Sequence, residues 1–352
     1  MLRVLQVDSG REYRGGQNQV RLLTRELARD AGVEQCLVSR AGGELARRAA
    51  EQGVAVRGVP WGPSLDPRAL WCLRREIARF APDLLHVHDS HALQLAAWAR
   101  RLVRRRALPL VATRRVDFHV GRRSAWRGTD RVVAISQAVR AVLEADGLAA
   151  GVISVVPSGI DPDEVRRAAA FPLDIRRRLD LTAGMPLAVN VAALVGHKDQ
   201  GTLIRAAHAA RSARPALHWA IAGEGDLRRA LAADIARLGL ADRVHLLGYI
   251  PEADALIREA DVFVMSSKEE GLGSVVLHAL ALGKPVVATR GGGLPEIVPP
   301  QWLVPVGDAT ALAAKVLEAL DHPSPVPLPP QFTARAMARG VLAVYRSVAQ
   351  LA

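Results

Sequence analysis

The chain has 352 residues, half of them hydrophobic, which is too long for one ordinary core and suits two domains. Its formal net charge is +12, carried almost wholly by Arg, yet aromatics make up only 4% and no nucleic-acid motif interleaves with the charge, so nucleic acid is not the expected partner. Two cysteines, Cys36 and Cys72, form neither a disulfide framework nor a metal cluster.

The N-terminus runs straight into a strand pattern without an apolar signal core, and no run of about 18 apolar residues occurs. A cytoplasmic location is therefore expected. Short apolar runs, each followed by a segment of 3.6-residue period, read as buried parallel strands alternating with helices. In the first half they fall at Leu2–Val7, Glu34–Ser39, Val54–Val59, Asp83–His88, Pro109–Thr113, Arg131–Ser136 and Ile153–Pro157. The stretch from Pro157 to Pro162 ends that series, one Arg-rich helix is expected over Asp163–Asp180, and the domain boundary is placed near residue 165. The rhythm restarts with strands at Leu187–Ala192, His218–Gly223, Arg243–Gly248, Asp261–Ser266, Pro285–Arg290 and, briefly, Trp302–Val304. A Pro-rich stretch, Asp321–Pro330, reads as an extended linker. It leads to an amphipathic helix, Thr333–Leu351, expected to pack back on the first domain. The reading is α/β: two Rossmann-like, doubly wound parallel-sheet domains, 1–165 with 333–352, and 166–332.

In such sheets ligands sit beyond the carboxyl ends of strands. After the first strand, Gly15 and Gly16 precede a helix, where bare backbone N–H groups can approach an anion, with Gln17 beside them. After the fourth come His86, His88 and His91; strand alternation puts the first two on one face, so a polar sugar contact from His88 or a structural role is favoured over metal. After the fifth, Arg114 and Arg115 suit phosphate or carboxylate recognition, or a surface ion pair. Residues 1–165 hold 26 Lys/Arg against 18 Asp/Glu, and the remainder 21 against 17, so the first half is the more basic. Its densest run, Arg100–Arg106, reads as a solvated helix end or as a contact for an anionic membrane surface or lipid-linked acceptor, with nucleic acid last.

In the second half, Lys198 lies near a helix start and can neutralise a diphosphate. Gly223 and Glu224 line a base pocket or simply turn the chain. Most telling is Ser266–Thr289: a strand, the acidic pair Glu269-Glu270, the turn Gly271-Leu272-Gly273-Ser274 opening a helix, then another strand. Carboxylates there can accept hydrogen bonds from sugar hydroxyls, and the turn's backbone can donate to phosphate oxygens. Gly291, Gly292 and Gly293 make a second Gly-rich turn.

These segments together resemble the retaining GT-B glycosyltransferases of family 4, also called glycosyl transferases group 1. Ser266–Thr289 is similar to that family's Glu-x7-Glu signature, Val156–Asp161 to its V-P-N-G-V-D hinge, and Ala193–Lys198 to its G-R-L-x-x-x-K phosphate loop. The resemblance implies two domains facing across a donor cleft and a nucleoside diphosphate sugar as donor. It gives Glu270 the donor-sugar hydroxyls, Lys198 the diphosphate, Gly15 and Gly16 the donor phosphate and acceptor, and His88 a place near the transferred sugar. It implies no metal and no cofactor. Two positions depart from the family: His278 stands where a ribose-binding Glu is usual, and Ala193 where an Arg is, so Arg115 or another cation takes that role. The acceptor is expected on the first domain, an anionic glycan or lipid-linked saccharide at the inner membrane face. A sugar-nucleotide 2-epimerase and a non-catalytic sugar-nucleotide binder share this architecture and stay open. A nicotinamide dehydrogenase ranks last, because no G-x-G-x-x-G follows any strand.

Overall fold

The apolar runs form two separate parallel sheets in a computed structural model of the chain, which describes residues 1–62, 66–103, 108–121, 124–182 and 184–350. The chain divides into Met1–Gly159 with Pro330–Ala352, and Ile160–Pro329. The first unit contains β1 (Leu2–Val7), α1 (Gly15–Leu27), β2 (Val33–Arg40), α2 (Glu44–Glu51), β3 (Val56–Val59), α3 (Pro67–Phe80), β4 (Leu84–Val87), α4 (Ser90–Leu102), β5 (Leu110–Arg114), β6 (Arg131–Ala134), α5 (Gln137–Ala145) and β7 (Ile153–Val155). The second contains α6 (Pro162–Ala168), α7 (Ile175–Arg178), β8 (Leu187–Val191), α8 (Gln200–Ala210), β9 (His218–Ala222), α9 (Arg228–Arg237), β10 (Val244–Gly248), α10 (Ala253–Glu259), β11 (Val262–Met265), α11 (Ser274–Ala281), β12 (Val286–Thr289), β13 (Leu303–Val304) and α12 (Ala309–Asp321). Helix α13 (Ala334–Ala349) returns to the first unit.

Strand order is β3-β2-β1-β4-β5-β6-β7 in one sheet and β10-β9-β8-β11-β12-β13 in the other. All pairings are parallel. Every residue of β4, β5, β11 and β12 is buried, as strands covered on both faces must be. Several helices start on a short polar side chain that accepts a first-turn N–H: Asp66 for α3, Asp89 for α4, Ser136 for α5, Asp161 for α6, Asp308 for α12 and Thr333 for α13.

The single Arg-rich helix expected over 163–180 is instead two short ones, α6 and α7. Pro172, between them, has no N–H for a continuing ladder. Asp174 takes a left-handed φ of 54°, and the Glu259 carboxylate accepts the Leu173 and Ile175 N–H groups at 2.6 and 2.8 Å. A long-range acceptor thus holds the chain open where local sequence looked helical.

Helix α13 buries Met337, Val341, Tyr345 and Val348 against Val4, Leu22, Leu84, Val133 and Val156. Its approach is close: a Cβ on Gly340 would lie 2.7 Å from Val156 Cγ1. Within this apolar contact Tyr345 carries a hydroxyl that must be satisfied. Gln6 Nε2 donates to it at 3.0 Å, and it lies 2.6 Å from His86 Nδ1. Tyr345→Phe leaves both partners unmatched, and we expect it to lower the unfolding free energy by about 1–3 kcal/mol. A urea midpoint equal to that of the parent chain would refute this account of the helix anchor.

Candidate functional site

In the second sheet the chain leaves β8 toward β9 on one side and later returns to β11 on the other. The crevice outside the carboxyl ends of β8 and β11 is therefore its switch point. Lys198 follows β8, Glu270 follows β11, and the Lys198 ammonium donates to Glu270 Oε2. Ser267 Oγ reaches the same oxygen at 3.4 Å. The two loops are sewn together by backbone as well: Ser266 Oγ donates to Lys198 O at 3.0 Å and the Lys268 N–H to His197 O at 2.8 Å.

Glycines let neighbouring turns close on this pair. Gly292 has φ +53°, and a Cβ there would lie 2.1 Å from Glu270 O. The Gly293 N–H donates to that same carbonyl at 2.7 Å. Gly223 has φ +145°, and a Cβ there would meet Ala192 O at 1.9 Å, so the loops after β8 and β9 touch backbone to backbone. Glu224 is exposed, its carboxylate 3.4 Å from Arg228 Nη1. Gly271, buried Leu272 and Gly273 lead into α11, whose first residue is Ser274. One turn on, His278 Nδ1 lies 2.6 Å from Asp254 Oδ1 on α10. The sequence reading did not find Asp254, because its partner is 24 residues away on another helix.

In the first sheet the switch point lies between β1 and β4. Here a buried polar chain runs through His88. Its Nε2 lies 2.8 Å from Gln6 Oε1, and its Nδ1 3.3 Å from Arg115 Nη2, while Arg115 Nη1 donates to His88 O at 3.0 Å. Since Gln6 Oε1 can only accept and Arg115 can only donate, His88 is the neutral Nε2–H tautomer. Gln6 Nε2 donates to Tyr345, so the phenol donates to His86 Nδ1, and His86 Nε2–H to Thr113 Oγ1 at 2.7 Å. Asp89 accepts from Ser9 N–H, Ser9 Oγ and Ala92 N–H at 2.7, 2.6 and 2.8 Å. Asp8 is buried and accepts the Gly10 N–H at 2.9 Å; burial, then the Asp89 charge, raises its carboxyl to about 6. Loss of solvation pushes Arg115 down to about 10, opposed by Asp8 and Asp89, so it stays cationic at neutral pH.

Models of two families match the chain: "Glycosyltransferase Family 4" over residues 13–164 and "Glycosyl transferases group 1" over 186–322. A 2-deoxystreptamine glucosyltransferase of Streptomyces kanamyceticus is 31% identical over 58% of this chain and 54% of its own length. The amylovoran biosynthesis glycosyltransferase AmsK of Erwinia amylovora is 30% identical over 68% of this chain and 61% of its own. The chain thus spans little more than half the length of these relatives. The solved structure of Anabaena Alr3699/HepE in complex with UDP-glucose superposes with a TM-score of 0.76, covering 100% of this chain and 99% of that one at 20% identity. That likeness shows the fold, a GT-B α/β architecture.

The chain belongs to the group 1, family 4 glycosyltransferases.

The residues to which the resemblance points fall into two clusters, one in each unit of the chain. Lys198, Glu270, Gly271, Gly273 and Gly292 come together around the β8–β11 crevice. His88 and Arg115 meet at the β1–β4 crevice, where a Cβ on Gly16, in the first turn of α1 after Gly15, would lie 3.9 Å from Arg115 Cδ. Gln17 folds back, accepting from Arg14 N–H at 3.3 Å and reaching Asp8 at 3.4 Å. Arg114 parts from Arg115: it stacks on Trp126 at 5.2 Å and donates to Phe118 O. Successive residues of a strand point to opposite faces, so only one of the two guanidiniums reaches His88. His91 turns to Ser9 Oγ at 3.1 Å. Gln6, Asp8, Asp89 and Tyr345 were missed; Asp8 and Asp89 at the ends of β1 and β4 could have been found from strand position alone.

Burial, before any charge, holds both His86 and His88 well below the ordinary value of 6.5. The unfolded chain therefore takes up protons below about pH 6.5 that the folded unit refuses, and stability falls with acid from there down. Asp8 opposes this below about pH 6, where its raised carboxyl binds a proton more readily folded than unfolded. We expect the urea midpoint to drop between pH about 7.5 and about 6, and Asp8→Asn to steepen the fall at lower pH. A midpoint that is flat over this range would show that the two imidazoles are not held neutral.

Proposed function

We propose that this glycosyltransferase moves a sugar from a nucleoside diphosphate sugar to an acceptor hydroxyl, with retention at the anomeric carbon. The observation that carries the reading is the Lys198–Glu270 pair at the β8–β11 crevice, closed round by turns that admit only glycine. The two charges satisfy each other. A bound donor would divide them, its diphosphate taking the Lys198 ammonium and its sugar hydroxyls the Glu270 carboxylate. The acceptor oxygen forms its bond to the anomeric carbon on the face from which the diphosphate leaves, and the acceptor's proton passes to the departing phosphate oxygen. The protein's work is electrostatic: Lys198 and backbone N–H groups stabilise charge that develops on the leaving group. No resident metal or cofactor is needed in this reading. His88 is proposed to contact the transferred sugar, and Arg115 to supply the cation that Ala193 cannot.

His278 is proposed to meet the ribose through Nε2, with Asp254 fixing its ring from Nδ1. The acceptor is proposed to be an anionic glycan or lipid-linked saccharide, used at the cytoplasmic face of a membrane in polysaccharide, lipopolysaccharide or glycolipid synthesis; AmsK is named for amylovoran biosynthesis.

A thermal-shift screen against uridine, guanosine and adenosine diphosphate sugars tests the donor, since a ligand that binds only the native form raises Tm. Glu270→Ala is expected to abolish transfer and, by leaving the Lys198 ammonium without its partner, to lower Tm, and Lys198→Ala to lower kcat/KM by about 10²–10³-fold. Full turnover in Glu270→Ala would refute its role, and an epimer formed without acceptor would point to a 2-epimerase. Asp254→Asn should raise the donor KM more than it lowers kcat; the reverse split would remove His278 from the ribose.

A further inference from the structure

Helices α3 and α4 pack side by side in the first unit, and their outer face is unlike the rest of the surface. Trp71 is 57% exposed, Trp98 48% and Leu102 50%. Arg74 Nε on α3 donates to Leu102 O on α4 at 3.2 Å, which fixes the register of the two helices. Trp71 stands one turn before Arg74 on α3, and Trp98 one turn before Leu102 on α4. Each carries its own guanidinium: Arg75 lies 5.8 Å from the Trp71 ring centre and Arg101 5.5 Å from that of Trp98. Arg68 and Arg74 are exposed on the same helix. Carboxylates are few and engaged: α4 has none, Glu76 of α3, 15% exposed, lies 3.7 Å from Arg57, Asp66 caps α3, and Asp130 pairs with Arg100 of α4 at 2.7 Å. The sequence continues past α4 into Arg104, Arg105 and Arg106, which lie outside the described residues.

We propose that this Trp71–Trp98 face docks the chain on an anionic lipid bilayer. Indoles favour the headgroup level of a membrane, where an apolar ring and a polar edge are both accommodated. Guanidiniums around them meet the negative surface potential. A second copy of the chain would bring like charges together across a two-fold contact, which opposes self-association through this face. Among the described residues no helix is long and apolar enough to cross a membrane, so the binding is peripheral. The inference names the surface for the membrane-face acceptor proposed above, but its test does not depend on transfer.

The whole chain would be sedimented with vesicles of phosphatidylcholine alone and with about 30% phosphatidylglycerol. It is expected to pellet with the anionic vesicles and stay in solution with the neutral ones, losing binding at about 1 M salt. Replacing three of the exposed guanidiniums (Arg68→Gln, Arg75→Gln, Arg101→Gln) should weaken partitioning about a hundredfold. The pair Trp71→Ala and Trp98→Ala should weaken it about tenfold and reduce the blue shift of indole fluorescence. Arg166→Gln with Arg177→Gln, exposed in the second unit, should leave it unchanged. No binding to anionic vesicles, or equal binding by the Trp variant, overturns the proposal. So does a dimer in size exclusion that the Trp variant breaks. Slow donor hydrolysis, measured on every variant without vesicles, reports an intact site: retained hydrolysis without vesicle binding sinks this surface and leaves the transferase reading standing, and vesicle binding without hydrolysis does the opposite.

Discussion

An ammonium and a carboxylate, 17% and 13% exposed, are each costly to leave alone at the ends of β8 and β11. Their pairing explains much of what surrounds them. Glu270 is held by its carbonyl to the Gly293 N–H, so the turn after β12 must come within backbone distance, and only glycine at 292 permits that. Lys198 is held by its own carbonyl to Ser266 Oγ, which ties the loop after β8 to the loop after β11. The scaffold thus fixes both backbones around the pair. A pair built for stability alone would gain from replacement by apolar groups of similar volume.

The first unit solves a different problem. His86 and His88 are buried side by side on β4 and its end, with ring centres 4.2 Å apart. Two charged imidazoles could not share that space, and the hydrogen-bond chain from Arg115 through His88, Gln6 and Tyr345 to His86 and Thr113 assigns every ring nitrogen a role that needs no extra proton. The consequence reaches across the chain: Tyr345 lies on the last helix, so the proton arrangement at His88 depends on a segment 259 residues away from His86. Helix α13 is therefore a structural cover for the sheet and a member of the polar network at once.

Which parts were legible in the sequence follows from the range of the forces involved. Buried parallel strands announce themselves as continuous apolar runs, so Leu2–Val7, Leu187–Val191 and Val262–Met265 could be placed within a residue. Glycine turns were legible for the same local reason, since Gly223 and Gly292 mark places where a Cβ would strike backbone. The break at Pro172–Asp174 was not, although its proline was visible, because the Glu259 carboxylate that holds it open lies more than 80 residues on. Gln6 looks like an ordinary polar residue in a strand until Tyr345 and His88 arrive on either side of it. Arg114 and Arg115 were read as a pair because they are adjacent, whereas strand alternation separates adjacent side chains.

The departures at positions 193 and 278 are best understood through the neighbours that the fold supplies. A glutamate at 278 would accept two hydrogen bonds from a vicinal diol unaided. A histidine can accept one at a time, and only if its ring is fixed and its tautomer chosen. Asp254 does both: its carboxylate can only accept, so Nδ1 carries a proton, and in the neutral ring Nε2 is left as the acceptor. On the proposed reading, a carboxylate thus stands one residue deeper than the signature places it and acts through an imidazole. At 193 the side chain is lost but the carbonyl is not idle, since Gln200 Nε2 donates to it at 2.9 Å and pins the loop that carries Lys198. A loop that keeps its anchor while losing one cation still presents Lys198 at the crevice.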